Sequence, residues 1–238
     1  MLFGSDFDKI EWLWGSYTFL EPNVFITDIF MSLFCLYLGW SLYQKTNGSE
    51  TTKWWIAFFW LFSFSSFVGG LGHFMFAHWG VNGKFASWIT AIPSIYFIER
   101  AMISAEPDEE RKRRFINWAN IKMILVSLVF AAVCFWVDLS VKPEKGFLPI
   151  AANTIFGVSI TTGGLGWMYA KQLHSDFKQF FFGMLIILPS AFVFLLKINP
   201  IQWFDKNDLS HVFISAGLYF FYRGALLVEK QQLVCTKN

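Results

Sequence analysis

The chain has 238 residues, of which 55% are hydrophobic, 21% aromatic and only 15% charged, with a net charge of +2 and a mean hydropathy of +0.45. Soluble domains carry about a quarter charged residues, whereas here the apolar residues gather into long runs; disorder, a disulfide scaffold and a nucleic-acid module are excluded in favour of one membrane-embedded bundle. Cys35, Cys134 and Cys235 show neither paired nor metal-knuckle spacing and read as packing residues.

In chain order, residues 1–22 place Asp6, Asp8, Lys9 and Glu11 among aromatics and lack the basic start and small-residue exit of a signal peptide, which predicts an interfacial lead-in. A crossing needs about 20 mostly apolar residues, with a lower limit near ~17. Seven segments qualify: Asn23–Tyr43, Trp54–His78, Ala86–Met102, Phe115–Val137, Phe147–Ala170, Phe180–Leu196 and Asp208–Val228. The third is cut short by Glu99 and Arg100. Trp54, Trp55, Trp79, Trp88, Trp118, Trp136 and Trp203 lie near the segment ends, where indole rings prefer the headgroup layer. The predicted fold is all-α, an integral membrane bundle of seven transmembrane helices over residues 23–228, with residues 229–238 as a cytoplasmic tail. Short connections favour antiparallel neighbours.

Orientation follows from the basic residues of alternate connections. Lys45, Lys53, Arg100, Arg111, Lys112, Arg113, Arg114, Lys171, Lys178, Arg223, Lys230 and Lys237 fall on one side, and Lys9, Lys84, Lys142, Lys145, Lys197 and Lys206 on the other. The richer side is the cytoplasmic one, so the N-terminus is expected outside and the C-terminus inside, in a plasma or inner membrane. The acidic and basic stretch Glu106–Arg114 reads as a solvated loop. Gly69, Gly70 and Gly72 in the second span, and Gly163, Gly164 and Gly166 in the fifth, predict close helix approach; room for a substrate is the alternative.

Ionisable groups inside a span need a partner, a cavity or a metal. At 1.5 Å rise per residue, Asp28 lies about 8 Å inside the outer end of the first span, His73 about 8 Å from the outer end of the second, and His211 about 5 Å into the seventh. Helical spacing puts Asn207, Asp208, His211 and Ser215 on one face, Ser66, Gly69, Gly70 and His73 on another, and Asn23, Thr27 and Asp28 on a strip leading inward from Glu21. Three polar stripes can thus meet in one interior at one depth. His78 is about 140° from His73 around an ideal helix and joins them only where the helix end unwinds.

At these residues the sequence resembles the CREST superfamily of seven-helix membrane hydrolases, which includes alkaline ceramidases and adiponectin-receptor-like proteins. The resemblance rests on Trp14-Gly15 with Glu21-Pro22-Asn23 and Thr27-Asp28, on Val68-Gly69-Gly70-Leu71-Gly72-His73, and on Asn207-Asp208-Leu209-Ser210-His211. It implies calcium held near Glu21 and Asn23, and zinc in the bundle. Against the family pattern, Gly69 stands where a Ser is expected, Thr90 near an expected Asp, and Asn207 in place of the first His of the terminal pair.

Zinc with three protein ligands and a water could hydrolyse an amide or ester. His73 and His211 are the expected metal ligands with Asp208, or else Asp28, as the third; Asp28 and Asp208 are the catalytic carboxylates, whichever does not bind the metal serving as proton shuttle, and His78 is a less well-aimed substitute ligand. The expected partner is a membrane lipid that enters sideways along the Phe-rich helices, and no nucleic acid is expected. The competing expectation is a noncatalytic lipid- or ion-binding protein or scaffold. A transporter, which would want broken helices, repeats or a continuous polar path, ranks below both.

Overall fold

A computed structural model of the protein describes residues 4–46 and 48–235. Lys237 of the basic count, the first three residues of the lead-in and the last three of the tail lie outside the described residues.

The lead-in is a β-hairpin. Strands β1 (Glu11–Trp14) and β2 (Tyr17–Leu20) pair antiparallel with Trp14 opposite Tyr17. Gly15, at φ 61°, takes the left-handed backbone that a two-residue loop demands. Then come α1 (Pro22–Lys45), α2 (Glu50–Phe74), α3 (Phe76–Trp79), α4 (Asn82–Ser104), α5 (Glu109–Trp136) and α6 (Pro143–Val158). A π-helical stretch, Ser159–Leu165, carries α6 into α7 (Gly166–Gln172), and α8 (Lys178–Leu195) and α9 (Lys206–Cys235) complete the chain. Pro22 opens α1 at a position where its missing N–H costs nothing. The Ser49 hydroxyl caps α2 by accepting from Thr52 N at 3.2 Å, and Asp108 caps α5 by accepting from Glu110 N and Arg111 N, both at 3.0 Å.

Apart from the hairpin the fold is all-α, and six helical stretches are long and apolar enough to cross a membrane: Pro22–Lys45, Glu50–Phe74, Glu109–Trp136, Pro143–Gln172, Ser175–Leu195 and Lys206–Gln231. The expected third span is the difference. It forms one continuous helix, α4, of 23 residues, about 34 Å long at 1.5 Å per residue. Lys84, Glu99 and Arg100 keep it from matching the apolarity of the other six.

α1 lies between α2 and α9, α2 between α1 and α4, and α8 packs along α9; α4 continues the circuit to α5, α6 and the π-helical stretch, which in turn meets α8. α5 is peripheral, with Ala119 and Phe130 its buried residues. Within a bilayer such contacts are held by van der Waals fit and polar bonds rather than by release of water. Two glycines show how close the fit is. A Cβ at Gly72 would sit 2.4 Å from the carbonyl oxygen of Gly83 on α4, and one at Gly70 would sit 2.8 Å from the Cβ of Asp28 on α1. Both serve close packing.

The main core gathers Trp55, Phe58, Phe59, Phe180 and Phe221, with the Trp55 and Phe180 rings stacked at 5.0 Å. Trp55 therefore corrects the expectation that it faces headgroups: it is fully enclosed, as is nearly true of Trp88, which packs with Phe130 in a second cluster. Trp79, Trp118, Trp136 and Trp203 are exposed.

Candidate functional site: a polar cluster at one end of the bundle

The polar stripes of α1, α2 and α9 do meet, and α4 joins them. The capping of α9 places the first member. Asp205 accepts from Asn207 N at 2.7 Å and Asp208 N at 3.4 Å, while the Asp208 carboxylate accepts from Asp205 N at 3.0 Å. This reciprocal arrangement is a capping box. It turns Asp208 back toward α1, where Oδ2 also accepts from Asn23 Nδ2 and Oδ1 from the Thr27 hydroxyl, both at 2.7 Å. Asp208 is completely buried and takes three donors. Asn207, expected on the inward face, instead bonds Asp205 through its side chain at 3.3 Å.

One turn along α9, His211 Nδ1 lies 2.9 Å from Thr27 Oγ1, and its Nε2 lies 3.5 Å from Asp28 Oδ1. Asp28, Oδ1 to His211 and Cβ against Gly70, is buried between α1, α2 and α9. His211, Thr27 and Asp208 form one chain of hydrogen-bonding groups, and the Asp28 carboxyl stands 3.5 Å from the far nitrogen of the imidazole.

A second chain stands beside it. Glu21 caps α1 in the left-handed region at φ 50° and ψ 51°, a conformation disfavoured for a residue with a Cβ. There its Oε2 accepts from His73 Nδ1 at 2.9 Å and from Lys9 Nζ at 3.0 Å. Lys84 on α4 donates to His73 Nε2 at 2.9 Å. Burial pushes the Glu21 carboxyl upward, but the hydrogen bond from His73 and the charges of Lys9 and Lys84 outweigh it and hold the group well below the usual carboxylate range. Asp205 moves the other way: burial raises it, and the neighbouring Asp208 charge adds to the rise.

His73 and His211 thus belong to the same end of the bundle but to different carboxylates. The helix break at Met75 takes His78 into α3, where its ring packs on Tyr17 at 5.7 Å and Phe19 at 6.2 Å, in the hairpin and outside the polar cluster. Among the described residues no three His, Cys, Asp or Glu side chains are grouped to hold a metal ion. The donor chemistry agrees. Both ring nitrogens of His73 are engaged, one of them by an ammonium standing where a cation would bind, and Asp208 is saturated by three donors. As arranged, His73, His211 and Asp208 do not fit a three-ligand zinc centre. Nor do Glu21 and Asn23 fit calcium, since Lys9 and His73 occupy the Glu21 oxygen and the Asn23 amide turns its donor to Asp208.

Three participants escape a reading by residue type alone. Lys84 counts in sequence only as an outer-side charge, Lys9 as part of the lead-in, and Asp205 as a loop residue. A usable signal exists for Asp205, because Asp-x-x-Asp before an apolar helix is a capping pattern.

The surroundings differ on the two sides. The lead-in is strapped across the end of the bundle. Asp6 pairs with Lys197 at 3.0 Å and with Lys206, Asn199 Nδ2 donates to Ser5 O at 2.7 Å, and Gln202 Nε2 to Asp8 O at 3.1 Å. Further along, between α1 and α9, opens a groove of about 340 Å³ lined by Phe30, Phe34, Ser215, Ala216, Tyr219 and Phe220. Thr27, Phe30 and Phe34 share a face of α1, as His211, Ser215 and Tyr219 share a face of α9. The Thr27–His211 contact thus lies about one helical turn beyond the groove lining on the same two helices.

Neither a curated protein nor a solved structure matches the chain. A family model does match, over residues 23–230, from the start of the polar strip on α1 to a point beyond the last buried turn of α9, and the chain accordingly belongs to DUF6962, a family of unknown function.

Proposed function

We propose that the protein is an integral membrane protein of seven crossings, with α4 as the seventh and the N-terminus outside, and that it binds a membrane lipid between α1 and α9. The observation that carries this reading is the groove whose walls are Phe30, Phe34, Tyr219 and Phe220, about one helical turn from the Thr27–His211 contact. An acyl chain suits the aromatic walls, and the polar linkage at its head would extend past them toward the hydroxyl, imidazole and carboxylates of the polar cluster. The strapped lead-in supports entry from the bilayer rather than from water.

The test is photocrosslinking in vesicles with a phosphatidylcholine carrying a diazirine in its acyl chain. Crosslinks are expected on α1 and α9 around Phe34 and Ala216 and should fall severalfold in Ala216→Trp, which fills the groove. Labelling spread evenly over all lipid-facing helices and indifferent to Ala216→Trp would sink the reading.

A second reading, hydrolysis of a lipid amide or ester, is favoured by the Asp28–His211 couple, whose separation of 3.5 Å suits a carboxylate orienting an imidazole base, and by the resemblance to the CREST hydrolases. Its zinc-dependent form requires His73 and Asp208 to release their present partners. Metal analysis of the detergent-purified protein and of a His73→Ala, His211→Ala double variant decides that form: we expect no stoichiometric zinc in either, and one zinc per chain that disappears in the double variant would establish it.

A further inference from the structure

We propose that Thr27 is a nucleophile, and that the groove between α1 and α9 presents a lipid acyl group to it for transfer without a metal ion; this rests on the lipid-binding reading above. A threonine in a membrane helix ordinarily bonds back to its own backbone, and Thr27 Oγ1 does lie 3.1 Å from Val24 O. That is the longest of its three contacts. Asp208 Oδ1 at 2.7 Å and His211 Nδ1 at 2.9 Å are both closer and both come from the opposite helix. One hydroxyl therefore has two bases within hydrogen-bond reach, the relation that activates an otherwise weak hydroxyl nucleophile.

The order of the groups supplies roles. Asp28 Oδ1 stands 3.5 Å from His211 Nε2, and a proton held on Nε2 toward it leaves the Nδ1 lone pair facing Thr27. Base, orienting carboxylate and hydroxyl then stand in the relation of a hydroxyl–imidazole–carboxylate triad. Asp208 is fixed by Asn23 and by its own capping box and holds the hydroxyl in place. Thr27 is half-buried one turn before Phe30, the first α1 residue of the groove lining, so a carbonyl at the end of an acyl chain that extends past the groove approaches it along the same face of α1.

In the step that follows, the Thr27 O–H turns from Asp208 Oδ1 to His211 Nδ1, the Thr27 oxygen forms a bond to the carbonyl carbon, the carbonyl π pair moves to its oxygen, and the hydroxyl proton passes to His211 Nδ1. Collapse of the tetrahedral species restores the carbonyl and breaks the bond to the leaving alcohol or amine, which takes the proton from His211. The acyl group is left as an ester on Thr27. Water, activated by the same imidazole, then releases the fatty acid and returns the hydroxyl.

The experiment uses the full chain in nanodiscs with two probes: a hexadecyl fluorophosphonate, which traps an activated hydroxyl, and the diazirine phosphatidylcholine. Peptide mass analysis is expected to place the phosphonyl group on Thr27, to lose it in Thr27→Val, to retain it in Thr27→Ser, and to show labelling slowed at least about a hundredfold in His211→Gln. Crosslinking of the photolipid in the groove is followed in parallel in the wild type and is expected there. Groove crosslinking with no phosphonyl group on Thr27 in the wild type or in Thr27→Ser would overturn the nucleophile and leave the lipid site standing. Loss of crosslinking in the wild type would overturn the lipid site itself.

Discussion

Glu21 sits in a left-handed backbone conformation immediately before a proline, and what it gains there is a carboxylate aimed at His73 and Lys9. Its proton affinity is depressed in the folded protein, so the unfolded chain takes up a proton first as pH falls. The contribution of Glu21 is therefore complete above its ordinary value of 4.5 and is lost progressively as pH drops below that toward the folded value. Glu21→Gln is expected to lower the detergent-solubilised unfolding midpoint at neutral pH by the equivalent of about 2 kcal/mol, in keeping with a charge-assisted hydrogen bond. The gap to wild type should close on acidification; thermal melts between neutral pH and pH ~3 check both the size and the direction. Gly72 makes a steric prediction of the same scale. Since its Cβ would meet the Gly83 carbonyl oxygen, which is backbone and cannot swing aside, Gly72→Ala should cost about 1–3 kcal/mol, while Gly69→Ala, whose Cβ would meet Ser87 at an ordinary 3.5 Å, should be nearly silent in the same melts.

Between helices, the ion pair of buried Glu99 on α4 with half-buried Lys122 on α5, extended to Asn153 on α6 at 2.7 Å, ties the peripheral α5 to the bundle. Removing one partner strands the other. Lys122→Met is expected to destabilise by about 3 kcal/mol, and the double variant Lys122→Met, Glu99→Gln to recover most of it, as read from denaturation in detergent. Such pairing shows where sequence reading stops. Long apolar runs mark six of the seven expected spans and their approximate ends, and the shared depth of Asp28, His73 and His211 follows from helix rise alone. Which imidazole meets which carboxylate depends on helix rotation and on groups outside the runs. The left-handed turn at Glu21 sends that carboxylate to His73, Lys84 arrives from α4, and the break at Met75 turns His78 away toward the hairpin. The burial of Trp55 was equally illegible, since a tryptophan one turn from a helix end has the same spacing whether it faces Phe180 or lipid.

For the whole molecule, the distribution of Lys and Arg predicts the orientation we propose, in which the α4–α5 connection lies in the cytoplasm. A Lys112→Cys variant, in a background where the native cysteines are replaced by alanine, should be labelled by a membrane-impermeant maleimide only after the vesicle is opened, whereas Lys142→Cys should be labelled from outside in sealed cells. The reverse pattern would invert the molecule and place the candidate site on the cytoplasmic face. The six apolar helices do not depend on this outcome, but the meaning of a polar cluster strapped over by the lead-in and neighboured by the α1–α9 groove does.

The contrast between α4 and α5 bears on biogenesis. α5 is the most hydropathic of the six candidate crossings and the least enclosed, at 2.0 and 11% buried over its most apolar window. α4, which emerges first from the ribosome, is the less apolar of the two and carries the carboxylate that Lys122 neutralises. A nascent chain ending after Ser104 should therefore leave α4 stalled at the translocon, and extension through Trp136 should let the two enter together as a helical pair, a sequence of events that glycosylation reporters on staged truncations would follow.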